Sequence, residues 1–412
     1  MAGQGEFPSR SFLLYWRAGA VSGFGTYVTL FALQALVLLT LHGSATEVGW
    51  LSSVRWLPYL LLGVVVGALV DRRPRLPVMV ATDLVQSGLL ALIPVLWWLD
   101  HLSFPVLLAI VLLYGTAAVV NSAASMSIVP RLVGRADLQR AHAWGDGADA
   151  VAMSAGPALA GLLVRVLGAP LAVLVDAASY LYSAVTLGRV QVSEPAATGG
   201  ARIRDLLREM RDGVRWAYGG SGLTTLAVAT HAWFVGNAVL GVVLAPYALL
   251  TLGLSAFQLG LTGALGGLGA VAGAAITTRV GLWLGTGRTI ILCHALNALG
   301  VLVMAAALGT SRAWAAVAVL GLGQVLYGLA MGMSNSHEMS YRQLVTPDEL
   351  QARTNTTLRS FNRAVMVVVA PVAGVMADAW GNGLALLLAA GVFALVAVGL
   401  ALTSFRTVRA PL

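Results

Sequence analysis

Residues 67–75 read GALVDRRPR and stand between two long apolar runs. Four charged residues fall within the five positions from Asp71 to Arg75, so the stretch predicts a short turn between two membrane-crossing helices. Gly67 would let two helices approach closely, and the Asp71 carboxylate would favour the positive end of a helix dipole. Three arginines in one short loop predict that this turn lies on the cytoplasmic side.

The composition is that of an integral membrane protein. Of 412 residues, 58% are hydrophobic and only 10% are charged, and the mean hydropathy is +0.84. A water-soluble domain carries about 25% charged residues. Because a helix crosses the bilayer in roughly 20 apolar residues, twelve spans and their loops would use the whole chain.

The charge and the cysteine content argue against several other classes of protein. The net charge of +8 comes from arginines, which mark cytoplasmic loops in a membrane protein, so we expect no nucleic-acid partner. The single cysteine, Cys293, lies in an apolar run. Neither zinc-ligand spacing nor a nucleotide-binding loop is found, so we predict no metal, no cofactor and no enzyme activity.

Hydropathy predicts two groups of six spans with a polar segment between them. The spans are placed at 18–41, 48–70, 78–99, 104–127, 144–166 and 169–189, and at 222–249, 257–277, 289–309, 313–335, 357–379 and 384–404. In the polar segment, the pattern over 200–218 predicts an amphipathic helix along the cytoplasmic membrane face. The predicted organisation is a first half at 1–189, a linker at 190–221 and a second half at 222–412.

The arginines also predict the orientation of the chain. With both termini in the cytoplasm, 22 of the 25 basic residues fall on the cytoplasmic side. Only Arg165 and Arg312 fall outside, and Arg55 lies within a span. The two halves repeat weakly, since LVGRADLQ at 132–139 resembles LVTPDELQ at 344–351. Two similar halves in parallel orientation are typical of a transporter with its cavity between them.

These residues resemble the major facilitator superfamily, and more narrowly its bacterial drug-exporter branch of the macrolide-efflux and enterobactin-exporter type. The signature of the loop between helices 2 and 3 is matched at Gly67, Leu69, Asp71, Arg72 and Arg75. Further matches follow in chain order: SGFG at 22–25, LP at 57–58, LQRAHA at 138–143, GPALAG at 156–161, VDAASYL at 175–181, MRDGVRW at 210–216 and TPDELQAR at 346–353.

The resemblance implies an all-α membrane protein with twelve helices in two pseudo-symmetric six-helix bundles. It implies a monomer in the bacterial cytoplasmic (inner) membrane, among membrane lipid, that exports small amphipathic organic molecules in exchange for protons. The same fold could instead import a metabolite or act as a uniporter. A membrane-embedded sensor or enzyme is the alternative from another class, and no catalytic constellation in the sequence favours it.

Three departures from the family pattern bear on proton coupling. Thr26 stands where family members often carry an acid, VLLYG at 111–115 lacks the arginine of many proton antiporters, and Thr277 stands opposite Asp71 in the second half. A coupling proton would therefore have to bind at another acid.

The charged turn is also a candidate gate. The resemblance implies that Asp71, Arg72 and Arg75 meet the cytoplasmic end of span 11 near Arg359 and Arg363, and so close the cytoplasmic side. The alternative is that the turn acts only as a topology signal.

Acids within the predicted spans are the candidates for proton coupling, because an intramembrane acid must be paired, protonated or in contact with water. Asp146 and Asp149 share a helix face at the cytoplasmic end of span 5, and their mutual repulsion would favour binding of a proton. Asp149 is expected to be the more deeply buried, and interfacial placement beside Arg140 is the alternative. Asp176 is also a candidate, although its pattern suggests a buried structural acid. Asp83 is expected to pair with a neighbouring arginine.

The helix 5 element of exporters is matched at Gly156, Pro157 and Gly161; a generic kink is the alternative. Arg55 is costly inside a membrane and would either attract an anionic group of the substrate or pair with Asp176. His231 is a candidate for the cavity or a satisfied packing residue. The other candidates for the substrate cavity, each of which could instead face lipid, are Thr26, Tyr27, Phe31, Tyr114, Trp233, Asn237 and Tyr327.

Overall fold

The computed structural model describes residues 7–70, 73–126, 128–192, 203–220 and 222–409. Within these ranges the regular secondary structure is entirely helical. Contacts divide the chain into two compact units. The first comprises Met1–Leu41 and Val54–Ile203, and the second comprises His42–Ser53 and Arg204–Leu412.

The first unit is built from long helices joined by short turns. They are α1 (Arg10–Ala35, continued by a π-helical turn to Thr40), α2 (Ala45–Val70), α3 (Arg75–Trp98), α4 (Phe104–Ser125), α5 (Val129–Leu132), α6 (Leu138–Leu167), α7 (Ala169–Ala172) and α8 (Leu174–Leu187). Helix α1 packs against α6 and α8, and α3 packs against α4 and α8. The Ser9 hydroxyl accepts a hydrogen bond from the Phe12 backbone N–H and caps α1.

The second unit continues the same architecture. Its helices are α9 (Ile203–Tyr218), α10 (Thr224–Pro246, continued by a π-helical turn to Thr251), α11 (Ala256–Leu284), α12 (Thr286–Ala306), α13 (Ala313–Val345), α14 (Asp348–Trp380) and α15 (Asn382–Leu402). Glycines allow α11 and α13 to touch backbone to backbone. A Cβ atom at Gly328 would lie 2.0 Å from the Gly266 carbonyl oxygen, and one at Gly332 would lie 2.0 Å from that of Ala270. Small residues bring membrane helices together in this way.

The beginning of α2 packs within the second unit, against the end of α14. A Cβ at Gly49 would lie 2.4 Å from the Ala370 carbonyl oxygen, so only glycine fits there. The Asp378 carboxylate accepts hydrogen bonds from the Ala45 and Thr46 backbone N–H groups, at 3.1 and 2.9 Å, and from the Thr46 hydroxyl. The end of α14 thus caps the first turn of α2, as an acid at a helix N-terminus does.

Eleven helices in the described part of the chain are long and apolar enough to cross a membrane. Helix α2 is a further helix of 26 residues, which exceeds the length needed for a span. The protein is therefore a multi-pass membrane protein, as predicted. Several predicted boundaries are wrong: α1 begins at Arg10 rather than 18, α6 begins at Leu138 rather than 144, α11 ends at Leu284 rather than 277, α13 continues past 335 to Val345, and α14 begins at Asp348 rather than 357.

The predicted linker helix is present as α9, and its second half packs against α14. Ala217 is buried in an apolar cluster of the second unit, and Trp216 and Tyr218 pack against that cluster. Arg353 forms an ion pair with Asp212 at 3.3 Å. A Cβ at Gly213 would lie 2.7 Å from the Arg353 carbonyl oxygen, so the two backbones meet closely.

Candidate functional site

The first unit contains a cavity of about 340 Å³. Five helices line it, and each contributes polar or aromatic side chains. The principal lining residues are Tyr15, Ser22 and Thr26 of α1, Arg55, Trp56 and Tyr59 of α2, Asp83 and Gln86 of α3, Tyr114, Asn121 and Ser125 of α4, and Tyr180 and Ser183 of α8. Polar side chains inside a membrane protein are costly unless they serve structure or function, so this concentration marks a candidate binding site.

Local sequence explains how Arg55 enters the cavity wall. Pro58 lies inside α2. Because proline has no backbone N–H, one hydrogen bond of the helix is missing at this turn. Gly115 of α4 faces the same turn, because a Cβ at Gly115 would lie 3.0 Å from the Arg55 carbonyl oxygen. The glycine therefore lets α4 approach α2 closely beside the arginine.

A chain of hydroxyl groups crosses the cavity. The Thr26 hydroxyl donates to the Ser22 carbonyl oxygen at 2.9 Å and lies 3.0 Å from the Tyr180 hydroxyl. Tyr180 lies 2.9 Å from the Tyr114 hydroxyl. Since the Thr26 proton is used on a carbonyl, Tyr180 donates to Thr26 and Tyr114 donates to Tyr180. Two of the predicted cavity residues, Thr26 and Tyr114, thus belong to one network.

Asp83 is buried, with 3% of its surface exposed, and its partners differ from the prediction. Within the described ranges no arginine forms an ion pair with it. Asn121 donates its side-chain N–H to Asp83 Oδ1 at 2.7 Å, and the Ser183 hydroxyl donates to Oδ2 at 2.6 Å. Neutral donors from α4 and α8 therefore satisfy both carboxylate oxygens, which is how buried polar groups are normally accommodated.

Asp176 is completely buried, in agreement with the interpretation of a buried acid. The Ser179 hydroxyl donates to its Oδ1 at 2.8 Å. Gly25 provides the space, because a Cβ there would lie 2.3 Å from Asp176 Oδ1. The predicted alternative of an ion pair between Arg55 and Asp176 is wrong: none of the ion pairs among the described residues includes Arg55.

Asp146 and Asp149 are both exposed on α6, so the expectation that they are buried is wrong. The Tyr27 hydroxyl lies 3.4 Å from Asp149 Oδ1 and donates to it. The helix 5 element supports this contact, because a Cβ at Gly156 would lie 2.7 Å from Tyr27 Cβ. Pro157 lies inside the same helix, and Gly161 is buried. Phe31 is half-buried in α1 and does not line the cavity of the first unit.

In the second unit, His231 joins three helices. Its Nδ1 lies 2.6 Å from Asn362 Oδ1, which can only accept, so Nδ1 donates. The Tyr218 hydroxyl of α9 is hydrogen-bonded to His231 Nε2. Burial raises the pKa of Tyr218, so the phenol stays protonated and donates to Nε2. His231 is thus a satisfied residue that ties α9 and α14 to α10, which was the alternative to a cavity role.

A half-buried ion pair in α13 was not predicted from the sequence. Arg342 donates to Glu338 Oε2 at 3.0 Å, and the Thr230 hydroxyl of α10 lies 3.3 Å from the same oxygen. The two residues are one helical turn apart, and this spacing is a recognised signal for such a pair. The predicted span ended at 335 and left both residues in a loop, which is why the pair was missed.

The remaining candidates in the second unit make aromatic and amide contacts. The Tyr327 hydroxyl donates to Asn237 Oδ1 at 2.7 Å. The Trp233 ring packs edge-on against Phe234, with centroids 5.0 Å apart, and also against Phe393. Trp233 and Tyr327 thus both pack against Phe393.

The predicted gate is described only in part. Asp71 and Arg72 lie outside the described residues. Gly67 lies near the end of α2, and Arg75 begins α3. Arg359 and Arg363 lie in α14, and Arg359 is exposed.

Comparison with known proteins places these features in context. The family model described as the Major Facilitator Superfamily matches residues 16–368. Macrolide efflux protein A of Streptococcus pyogenes is 25% identical over 236 residues, which cover 54% of this chain and 55% of that protein. The chain therefore spans about half the length of this macrolide efflux protein. An uncharacterized MFS-type transporter of Sinorhizobium fredii is 28% identical over 349 residues, which cover 83% of this chain and 82% of that protein.

Solved transporter structures share the fold. A bacterial homologue of the iron transporter ferroportin, in an inward-facing state, has a TM-score of 0.71 at 16% identity over 94% of this chain and 98% of that chain. The nucleoside transporter NupG has a TM-score of 0.73 at 12% identity over 95% of this chain and 98% of that chain. At these identities the likeness concerns the fold alone.

Proposed function

Because this chain belongs to the Major Facilitator Superfamily, we propose that it is a secondary active transporter that exports small amphipathic organic molecules from the bacterial cytoplasm by alternating access. The family and the transporter neighbours indicate a transporter rather than an enzyme. A drug, an antibiotic or a secondary metabolite would be the substrate, and the two halves would expose the site alternately to the two sides of the membrane.

The observation that carries the proposal is the cavity of the first unit. It combines aromatic walls from Trp56, Tyr59 and Tyr114 with hydroxyl groups and the Arg55 guanidinium. A ligand site is typically a concave, mostly apolar volume with a few placed polar groups that orient the ligand. This arrangement suits a molecule that has both an apolar body and a polar or charged group.

The direction of transport is proposed from the relatives. The relatives include macrolide efflux proteins, but the match to this chain covers only about half the length of those proteins. Export of an amphipathic compound is therefore the direction that we propose, with import of a metabolite as the alternative outcome of the experiment.

Gating and coupling complete the proposed mechanism. We propose that Asp71, Arg72 and Arg75 close the cytoplasmic side near Arg359 and Arg363. In this mechanism the carboxylate caps the cytoplasmic end of α14 through the helix dipole.

The counter-ion would be a proton bound at Asp149. Asp149 lies on α6 and accepts a hydrogen bond from Tyr27 of α1, so a change of its charge would act where these two helices meet. Asp176, which is buried against Ser179 and Gly25, would instead have a structural role.

A resistance screen followed by a transport assay tests the proposal. Expression in a bacterial host that lacks its own efflux pumps should raise resistance to some amphipathic compounds. Those compounds should accumulate in inverted membrane vesicles when a pH gradient is imposed. Accumulation only in right-side-out vesicles would replace the exporter with an importer, and no substrate-dependent flux in either orientation would contradict the proposal.

A variant pair on one helix connects that flux to the cavity. Tyr180→Phe removes the central hydroxyl of the network, and we expect it to lower the apparent affinity for the exported compound. Tyr182→Phe, at an exposed position of the same helix, is the matched control and should transport normally. Equal transport by both variants would place the substrate elsewhere.

A further inference from the structure

One wall of the cavity in the first unit carries a cation, Arg55. Arg55 is half-buried, and its guanidinium carbon lies 4.8 Å from the centroid of the Trp56 ring. No ion pair among the described residues includes Arg55, although a charge inside a membrane span is costly without a partner.

The acids near the cavity do not supply the missing charge. Both oxygens of Asp83 are bound by Asn121 and Ser183. Asp176 accepts from Ser179 through Oδ1. Neither acid forms an ion pair with Arg55 in the described part of the chain, so the guanidinium can bind an anionic group of a ligand.

The Trp56 ring lies beside this cation. Trp56 lines the same cavity, and the Arg55 guanidinium lies over the face of its ring. An arginine that lines a cavity and forms no ion pair with a described residue points to an anion that the ligand brings. A carboxylate has two oxygens whose geometry fits the planar fork of a guanidinium.

The rest of the wall limits the body of the ligand. Tyr59 and Tyr114 provide aromatic surfaces on α2 and α4, and flat rings pack favourably against aromatic faces. The volume of about 340 Å³ lies at the lower end of the range for small-molecule sites, which is about 300–1,000 Å³. A compound with one or two rings fits this description.

We propose that the substrates are small aromatic carboxylates, and that Arg55 binds their carboxylate group while the tyrosines contact the ring. This inference rests on the proposed transport function, because it specifies the charge of the molecule that the exporter accepts.

Equilibrium binding to the purified protein in lipid nanodiscs tests the inference. Radiolabelled naphthoate is the probe, protein-free nanodiscs provide the background, and unlabelled naphthamide and naphthylmethylamine compete as a neutral and a cationic analogue of the same ring system. We expect saturable naphthoate binding, and we expect each competitor to be at least about tenfold weaker than unlabelled naphthoate. Absent naphthoate binding, or equal competition by naphthamide, would overturn the inference.

Variants then assign the selectivity to one residue. Arg55→Gln should lower naphthoate affinity about tenfold or more and leave naphthamide affinity unchanged. Arg312→Gln removes an exposed charge at the start of α13 and is the control for net charge. If Arg55→Gln does not fold, Arg55→Lys keeps the charge without the planar fork and should weaken naphthoate binding by a smaller factor. Unchanged naphthoate affinity in the variant that folds would refute the role of Arg55.

Transport measurements separate this inference from the proposed function. If naphthoate binds but vesicles never accumulate it, the anion site is supported and the claim that these acids are transported is refuted. Export of neutral or cationic compounds by a protein that does not bind naphthoate would leave the transporter intact and overturn the inference.

Discussion

The cap that α14 places on α2 supports a quantitative prediction. Asp378 accepts three hydrogen bonds at the first turn of α2, from two backbone N–H groups and the Thr46 hydroxyl. In Asp378→Asn the amide oxygen can still accept from Thr46, but the amide nitrogen then faces the Ala45 N–H. One hydrogen bond is lost, and the other two change from charged to neutral acceptors.

The size of the effect follows from these contacts. A hydrogen bond to a charged group contributes about 1.5–3 kcal/mol and a neutral one about 0.5–1.5 kcal/mol. Asp378 is exposed, and exposure to solvent reduces such contributions. We therefore expect Asp378→Asn to destabilise the first turn of α2 locally by about 1–2 kcal/mol, which corresponds to about 5–30-fold in an opening equilibrium.

Hydrogen exchange measured by mass spectrometry checks this value, since backbone amides exchange through local opening. Amides at 45 and 46 should exchange about 5–30-fold faster in Asp378→Asn than in the unmodified protein. Asp100→Asn is the matched control, because it removes the same charge from an exposed position whose left-handed backbone conformation asparagine tolerates. Equal exchange at the start of α2 in all three proteins would refute the capping argument.

The remaining predictions concern topology, gating and coupling. In a Cys293→Ala background, Thr198→Cys should react with a membrane-impermeant thiol reagent only after the membrane is opened; labelling of intact cells would contradict the topology. Asp71→Asn should lower the transport rate with little change in thermal stability in detergent, and a normal rate would reduce Asp71 to a topology residue. Asp149→Asn should abolish accumulation driven by a pH gradient but keep substrate binding and gradient-free exchange, and normal accumulation would exclude Asp149 as the coupling site. Asp176→Asn should reduce expression, since its Oδ1 fills the space beside a glycine and accepts from a serine; normal expression with lost coupling would make it the proton site.

Hydropathy predicted where the helices cross the membrane but not where they end. The segment after 335 contains His337, Glu338 and Arg342, and its polarity resembles a loop, yet α13 continues through it to Val345. Hydropathy detects the apolar part of a helix, whereas a helix can continue into polar sequence where its polar side chains find partners. Here Glu338 finds them in Arg342 and in Thr230 of another helix.

For the candidate site, the sequence likewise indicated individual residues but not their partners. The cost of a charge inside a span was enough to single out Arg55, and Thr26 and Tyr114, which were also named as cavity candidates, line the same cavity of the first unit. Pairing could not be predicted, because Asp83 is satisfied from α4 and α8, and neither its own helix nor its spacing indicates those partners. Interhelical contacts depend on how helices rotate and tilt, and this information is not contained in the pattern of a single span.

The cap on α2 has a consequence for how the chain is made. Thr46 and Asp378 are 332 positions apart, so a ribosome must synthesise nearly the whole protein before the acid that secures the start of α2 exists. Until then the first turn has only a local substitute, in which the Glu47 carboxylate accepts from the Ser44 backbone N–H at 2.8 Å. Insertion of α2 is therefore expected to be early, and capping of its first turn by Asp378 late. A protein truncated before α14 would retain α2 but lack this cap.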